Sequence, residues 1–181
     1  AHHAFCVYKQ AACNIRELSY YEFEQSLEQF NKEDVQVLFA LGSAWAGWLQ
    51  ANSADWNAVA ELPRIKAIIQ RVLELEPAIN NGDAYLYMAV MQSFLPPAMG
   101  GKPELAKNNF EQAIKVSNGS NLMAKLLYAE KYARLVFDRE LHDRLLKEVI
   151  DSRVENDEMT LINSIAQHKA KRLLAQSDEY F

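Results

Sequence analysis

The sequence contains few residues that interrupt helices. Its 181 residues include only six glycines and five prolines. Leu, Ala, Glu, Lys and Gln, which favour helices, dominate the composition. Alternating runs of β-branched residues, which indicate half-buried strands, are scarce. The sequence therefore predicts an all-α protein.

A basic surplus and a long apolar run are also missing. Nineteen Lys and Arg residues against 24 Asp and Glu residues give a formal net charge of −5. This balance argues against nucleic-acid binding as the main activity, because such proteins carry basic patches. No apolar stretch approaches the ~20 residues that a membrane-spanning helix needs. Half of the residues are hydrophobic, so we predict a single soluble domain over residues 1–181.

Cysteine is nearly absent from the chain. Cys6 and Cys13 are the only two, and so close a pair is either a disulfide in an oxidising compartment or two reduced thiols. A structural zinc site needs four ligands, and His2 and His3 belong to what resembles a processed or tagged end. We predict no metal site. Because no signal peptide is visible, we expect that a targeting segment has been removed.

Catalytic motifs are missing as well. The sequence has no glycine-rich phosphate loop, no H-E-x-x-H and no nucleophile elbow. His142 and His168 lie far apart on amphipathic segments, and we interpret both as surface or boundary residues. The prediction is that the protein is not an enzyme and needs no cofactor. A pocket that brings either histidine against a carboxylate would favour an enzyme instead.

One helical hairpin with an overlong turn organises the chain. The segment L-P-P-A-M-G-G-K-P ends one helix and starts another at Pro103. In the second helix Ala106, Phe110 and Ala113 place a small, a large and a small residue on one face, which is typical of a tetratricopeptide unit. Insertions at such turns are usually functional or interfacial. The residues of the predicted interface loop are Pro96, Pro97, Gly100 and Gly101.

Similar hairpins are predicted on both sides of this one. A helix from Val35 carries Gly42 and Trp45 at the motif spacing, its partner ends at Pro77, and a third unit opens at Asn121. We predict about three tetratricopeptide-like hairpins over residues 35–158, an N-terminal packing segment over 1–34 and a terminal capping helix over 159–181. We expect one face of the capping helix to pack with Ile162, Ile165, Ala166, Ala170, Leu173 and Leu174. We interpret Trp45, Trp48 and Trp56 as core and turn packing.

The first helix of each unit in this fold lines a concave surface, so inward positions follow from the motif. The predicted cleft residues are Phe39, Ser43, Leu86, Val90, Phe94, Leu126, Glu130 and Arg134. Clamps for peptide tails present Lys, Arg and Asn to pair with carboxylates, whereas only Glu130 and Arg134 are charged here. The lining therefore favours an apolar or amphiphilic ligand, or a filled core without a ligand.

Three blocks of sequence, in order, resemble one protein family. They are Leu95–Ile114, Asn121–Glu140 and Leu161–Gln176. These blocks resemble the T component associated with tripartite ATP-independent periplasmic (TRAP) transporters, a tetratricopeptide-like family. The resemblance implies a periplasmic, often lipid-anchored accessory protein that is not itself the transporter. It also implies a trimer, an apolar solute, and association with the TRAP substrate-binding component, the P component.

Together these observations predict a periplasmic accessory protein of a TRAP uptake system. It would bind or channel a small hydrophobic solute and dock the P component. The alternative is a protein–protein scaffold with the same repeats and no small-molecule ligand. An open cleft favours the first hypothesis, and a filled core favours the second.

Overall fold

The computed structural model describes residue 6 and residues 13–155 and 159–181. All regular structure in these residues is helical, so the all-α prediction is confirmed for them. None of the described helices is long and apolar enough to cross a membrane. Cys6 and Cys13 form a disulfide bond, which decides between the two alternatives for this pair. The chain divides into two compact units, Ala1–Ile79 and Asn80–Phe181; a single domain over 1–181 stays a prediction.

The first unit is built around a pair of packed helices. Its helices are α1 (Tyr20–Leu27), α2 (Val35–Ala51), α3 (Trp56–Val59) and α4 (Leu62–Leu75). Helices α2 and α4 pack along each other, and Gly42 lies at their contact. A Cβ atom at this position would lie 2.8 Å from Cδ1 of Ile69 and 2.9 Å from Cγ2 of Ile68. The glycine thus permits the close approach of the two helices.

Two arginines of α4 hold the ends of α1. The guanidinium of Arg64 donates to the carbonyl of Leu18 at 2.6 Å and to that of Arg16 at 3.1 Å. Arg71 donates to the carbonyl of Phe30 at 2.8 Å. Because the two arginines are seven residues apart on one helix face, a single helix fixes both flanks of α1.

The tryptophans of this unit differ in burial. Trp45 is buried and meets the ring of Phe23 edge-on, as the core interpretation requires. Trp48 and Trp56 are exposed, so the packing interpretation is wrong for these two side chains. Only Trp45 shares the helix face of α2 that carries Leu38, Leu41 and Gly42.

The second unit contains the overlong turn and the C-terminal helices. Its helices are α5 (Asp83–Gln92), α6 (Pro103–Val116), α7 (Leu122–Leu127, continued by a π-helix over Tyr128–Ala133), α8 (Arg139–Asp151), α9 (Thr160–Ala175) and α10 (Ser177–Tyr180). Helix α5 packs along α6, α7 packs against α8, and α9 packs against both α7 and α8. The buried residues Ala106, Phe110 and Ala113 of α6 belong to one core cluster, as their spacing predicted.

Four of the six residues predicted to pack on the terminal helix α9 do so, and Leu174 is one of them, but the prediction is wrong for two. Ala166, Ala170 and Leu173 are buried as expected, but Ile162 and Ile165 are 37% and 44% exposed. The side chain of Asn163 is buried instead. Its amide binds two backbone groups at the start of α7, and these hydrogen bonds turn the two isoleucines outwards.

Candidate functional site

The predicted cleft residues of the first unit lie on α2. Phe39 is buried. Ser43 is half-buried, and its hydroxyl donates to the carbonyl of Ala40 within the same helix at 3.2 Å. Of the two, Ser43 keeps accessible surface, while Phe39 contributes to the core of its unit.

The apolar cleft residues of the second unit fall into two groups. Leu86 and Leu126 belong to the hydrophobic core, and Leu126 is 0% exposed. Val90 is half-buried and packs against the same core. Phe94, just beyond the end of α5, is 36% exposed. Accessible apolar surface among these residues therefore comes from Val90 and Phe94.

The two charged cleft residues are engaged with the C-terminal helices. The carboxylate of Glu130 lies 3.9 Å from the ammonium of Lys169 on α9, an ion pair beyond hydrogen-bond length. The Nε of Arg134 donates to Nε2 of His142 at 3.3 Å, and its guanidinium lies 4.3 Å from the ring centroid of Tyr180. Both residues are half-buried, at or just after the π-helix. Such π-helical turns often occur at functional positions.

His142 does not lie at the surface, so this interpretation of the sequence was wrong. Its side chain is 0% exposed. Arginine only donates hydrogen bonds, so Nε2 accepts from Arg134 and the ring proton lies on Nδ1, 2.8 Å from Oδ1 of Asp143. Because both ring nitrogens are satisfied, the imidazole can be buried at little cost. His168 is exposed on α9, as expected.

The contact between His142 and Asp143 brings a histidine against a carboxylate, but the imidazole is fully buried rather than in a pocket, and its geometry does not suit catalysis. Both ring nitrogens are occupied, and the ring of Phe181 lies edge-on at 5.2 Å. A general base must reach the proton that it abstracts, which a fully buried imidazole without a free nitrogen cannot do. The pair is better explained as a structural link.

The carboxylate of Asp143 connects α8 to the C-terminal residues. Ser177 donates to it at 2.6 Å, and Nε of Arg139 lies 3.5 Å away. Burial alone would raise the pKa of Asp143, but the hydrogen bonds from Ser177 and His142 and the charge of Arg139 hold it below its ordinary value. Arg139 also pairs with Asp178. The sequence contains no local signal for the contacts of Ser177 and Asp178, because their partners in α8 are more than thirty residues away.

The predicted interface loop connects α5 and α6 through a short 3₁₀-helix, Pro97–Met99. Pro96, Pro97 and Gly100 are exposed and Gly101 is half-buried. Gly100 has φ +86°, a left-handed conformation that glycine adopts readily. The loop base is closed by the amide of Asn109, which donates to Oε1 of Gln92 at 2.8 Å.

Apolar side chains are exposed on and around this loop. Phe94 precedes the loop, and Leu105 in the first turn of α6 is also exposed. We call this group the loop surface: Phe94, Pro96, Pro97, Ala98 and Leu105. Exposed apolar groups that lie together commonly mark interaction sites.

A cavity of about 280 Å³ lies between α6, the π-helix and the start of α8. Charged side chains of both signs line it, among them Lys107, Glu111 and Arg144. Tyr128 donates to Glu111 at 3.3 Å, and burial, with the nearby Glu111 charge, raises its pKa. This lining is polar, unlike the predicted cleft. In the part of the chain that the structure describes, no three His, Cys, Asp or Glu side chains are placed to hold a metal ion.

Comparison with known proteins assigns the chain to a family. No curated protein matches it. The profile of the family described as TRAP transporter T-component matches residues 1–181, which confirms the resemblance carried by the three sequence blocks. Members of this family are periplasm-associated accessory parts of TRAP transporters rather than known enzymes. Since the match covers all the residues given, the chain belongs to the TRAP transporter T-component family.

Proposed function

We propose that this protein binds or channels a small hydrophobic or amphiphilic solute and docks the substrate-binding P component of a TRAP system. We also propose that the pairs α2/α4, α5/α6 and α7/α8 are tetratricopeptide-like units. Family membership supports the transport role, and the packing within each pair is compatible with such units. The observation that carries the solute proposal is the exposed ring of Phe94, which lies four residues after Val90, a residue packed against the core.

The solute would contact the accessible apolar residues of the predicted cleft. In the second unit these are Val90 and Phe94, and Val90 packs against the core that contains Leu86 and Leu126. Burial of a few hundred Å² at ~25 cal/mol per Å² gives several kcal/mol of gross stabilisation. Association costs reduce this to a moderate affinity. Moderate affinity suits a component that takes up a solute and passes it on.

The solute proposal is tested by native mass spectrometry of the protein purified from its own periplasm. An apolar adduct is expected on the wild type, and its occupancy should fall in Phe94→Ser. The control is Trp56→Ser, which removes a more exposed aromatic ring, 70% against 36% for Phe94, from the first unit. Wild-type protein without any adduct, or equal loss in both variants, would contradict solute binding by Phe94.

The P component would dock on the loop surface. Prolines hold a loop rigid in the free protein, so less conformational entropy is lost on binding. Replacing both Pro96 and Pro97 by Ser should weaken co-purification of the P component. Pro77→Ser, at an exposed proline of the first unit, is the control. If the loop variant retains the P component at the level of the control, the docking assignment is wrong.

The alternative is a protein–protein scaffold that binds no solute. Burial of Leu86 and Leu126 in the core favours it, because a filled core leaves little room for a ligand. An empty protein that still retains the P component is the result that separates the scaffold from the solute-binding proposal.

Oligomeric state and anchoring complete the proposal. Following the family resemblance, we propose a homotrimer in the periplasm that is lipid-anchored through a removed N-terminal segment. The same native spectra report the oligomer mass, and a monomer would contradict the trimer. Membrane fractionation of the precursor, with and without globomycin, an inhibitor of lipoprotein processing, tests the anchor.

A further inference from the structure

The outward face of α9 carries exposed aliphatic side chains. Leu161 is 77% exposed, and Ile162 and Ile165 project beside it. Ile165 lies four residues after Leu161 and three after Ile162, so it neighbours both side chains on the helix surface. The opposite face of α9 is buried through Ala166 and Ala170. The helix is therefore apolar on both faces near its N-terminus, but only one face is covered.

The same outward face becomes basic towards its C-terminal half. Helix α9 contains no Asp or Glu, and His168, Lys171 and Arg172 are exposed. Leu161, Ile165, His168 and Arg172 follow each other at steps of four, three and four, so they form one stripe. An apolar half and a basic half thus lie end to end along about three turns.

Among the described residues of the second unit, the packing order leaves this face without a neighbouring long helix. Helix α5 packs against α6, helix α7 packs against α8, and helix α8 packs against α9. By contrast, the helix that follows α9 is α10, which has only four residues. Repeat folds bury the apolar face of each helix against the next one. The outward face of α9 therefore lies where a further helix would pack.

We propose that this α9 surface, the stripe Leu161, Ile165, His168 and Arg172 with Ile162 and Lys171 at its two opposite margins, docks an acidic amphipathic helix of a protein partner. Apolar side chains of that helix at i, i+4 and i+7 would cover the aliphatic half. Its Asp or Glu residues would pair with Arg172 and Lys171. The proposal goes beyond the solute and loop-surface proposals and does not depend on either.

The composition of α9 favours a helix over a membrane as the occupant. Surfaces that insert into lipid usually present Trp, Tyr or Phe at the interface, and α9 has none of these. Its basic residues are confined to one end of the stripe, whereas interfacial helices carry them along the polar face. An acidic amphipathic helix would match both halves of the surface, because its apolar side chains would cover the aliphatic half and its carboxylates would pair with the basic half.

The test uses the full chain and two fluorescein-labelled helical peptides as probes. Both peptides have the same leucine stripe, and one carries Glu where the other carries Lys. Fluorescence anisotropy should show tighter binding of the Glu peptide. Leu161→Ser should weaken the affinity for the Glu peptide about tenfold, which is a typical effect of truncating one residue that is buried in an interface. Arg172→Glu should also weaken binding of the Glu peptide, and it should strengthen binding of the Lys peptide.

Several results would overturn the proposal. One is equal binding of the two peptides. Another is Glu-peptide binding that Leu161→Ser changes no more than Val136→Ser does, a substitution at an exposed aliphatic residue between the π-helix and α8. Absence of Glu-peptide binding would refute it as well.

Co-sedimentation with phosphatidylglycerol vesicles that requires Leu161 would assign the surface to lipid. Self-association that Leu161→Ser abolishes would assign it to a second copy. All substitutions are at exposed positions, and circular dichroism verifies that each variant is folded.

Discussion

Asn163 and Gln167, one turn apart on α9, cap the ends of two other helices. Oδ1 of Asn163 accepts from the backbone N–H of Leu122 at 3.1 Å, at the start of α7. Nε2 of Gln167 donates to the carbonyls of Ile150 and Ser152 at 2.8 and 2.7 Å, at the end of α8. Helix ends leave such backbone groups without partners in their own helix. One helix thus satisfies an N-terminus and a C-terminus in the second unit.

Asn163 is expected to be important for stability. Replacing it with Leu leaves the buried N–H of Leu122 without an acceptor, so the free energy of unfolding should fall by about 2 kcal/mol. Urea unfolding followed by circular dichroism measures the loss. Asn108→Leu, at an exposed position of α6, is the control. An effect of Asn163→Leu no larger than that of the control would contradict the capping role.

The glycines of α2 should respond in opposite directions to the same substitution. Gly42→Ala places a methyl group against Ile68 and Ile69, and such overpacking costs roughly 1–3 kcal/mol. Gly47→Ala meets nothing within 4 Å, so it should stabilise the helix by roughly 0.5–1 kcal/mol. Thermal unfolding of the two variants checks both signs. Equal shifts would show that the α2/α4 contact does not require Gly42.

The link between Asp143 and Ser177 should depend on pH. Because the folded chain holds the pKa of Asp143 below its unfolded value of 3.8, the ionised carboxylate stabilises the fold above that value. This contribution is lost as the pH falls through the folded pKa. We expect Asp143→Asn to lower stability by about 1 kcal/mol at neutral pH, and by less in strong acid.

Urea unfolding at pH 7 and near pH ~2.5, below the ordinary Asp range, checks this prediction. The control is Asp151→Asn, at an exposed residue of the same helix. A difference between wild type and Asp143→Asn that stays constant between the two pH values would show that the charge of Asp143 makes no contribution.

Arg64 is expected to hold the N-terminal flank of α1. Arg64→Met keeps an apolar stem but removes the donors to the carbonyls of Arg16 and Leu18. Amide hydrogen exchange should accelerate in Tyr20–Leu27 while the rest of the first unit keeps its protection, because local opening needs less free energy than global unfolding. The control is Lys147→Met, a substitution at an exposed residue of the second unit. Unchanged exchange in α1 would refute this role.

Local sequence patterns predicted the helical class and several boundaries. Pro77 follows the end of α4 at Leu75, and Pro103 begins α6, because proline lacks a backbone donor. The small and large residues of α6 are buried as their spacing predicted. These features depend on residues within one or two turns, so the sequence displays them directly.

The predicted cleft shows where such patterns stop being informative. Motif spacing selected Glu130 and Arg134 as inward residues, but a spacing does not reveal which element a charged side chain will meet. Their partners, Lys169, His142 and Tyr180, come from α8, α9 and α10. The burial of His142 follows from the same contacts, since an imidazole is buried only when its nitrogens find partners.

The sequence by itself determined that this chain is helical, where proline ends or begins its helices, and that it belongs to the T-component family. Only the tertiary structure decided which face of α9 is covered. Apolar residues occur on both sides of that helix, so hydrophobic spacing does not distinguish them. The covered face is fixed by Asn163 and Gln167. Their side-chain amides bind backbone groups at the ends of α7 and α8, from 15 to 43 residues away in sequence. Pairing these buried groups turned Leu161, Ile162 and Ile165 towards solvent.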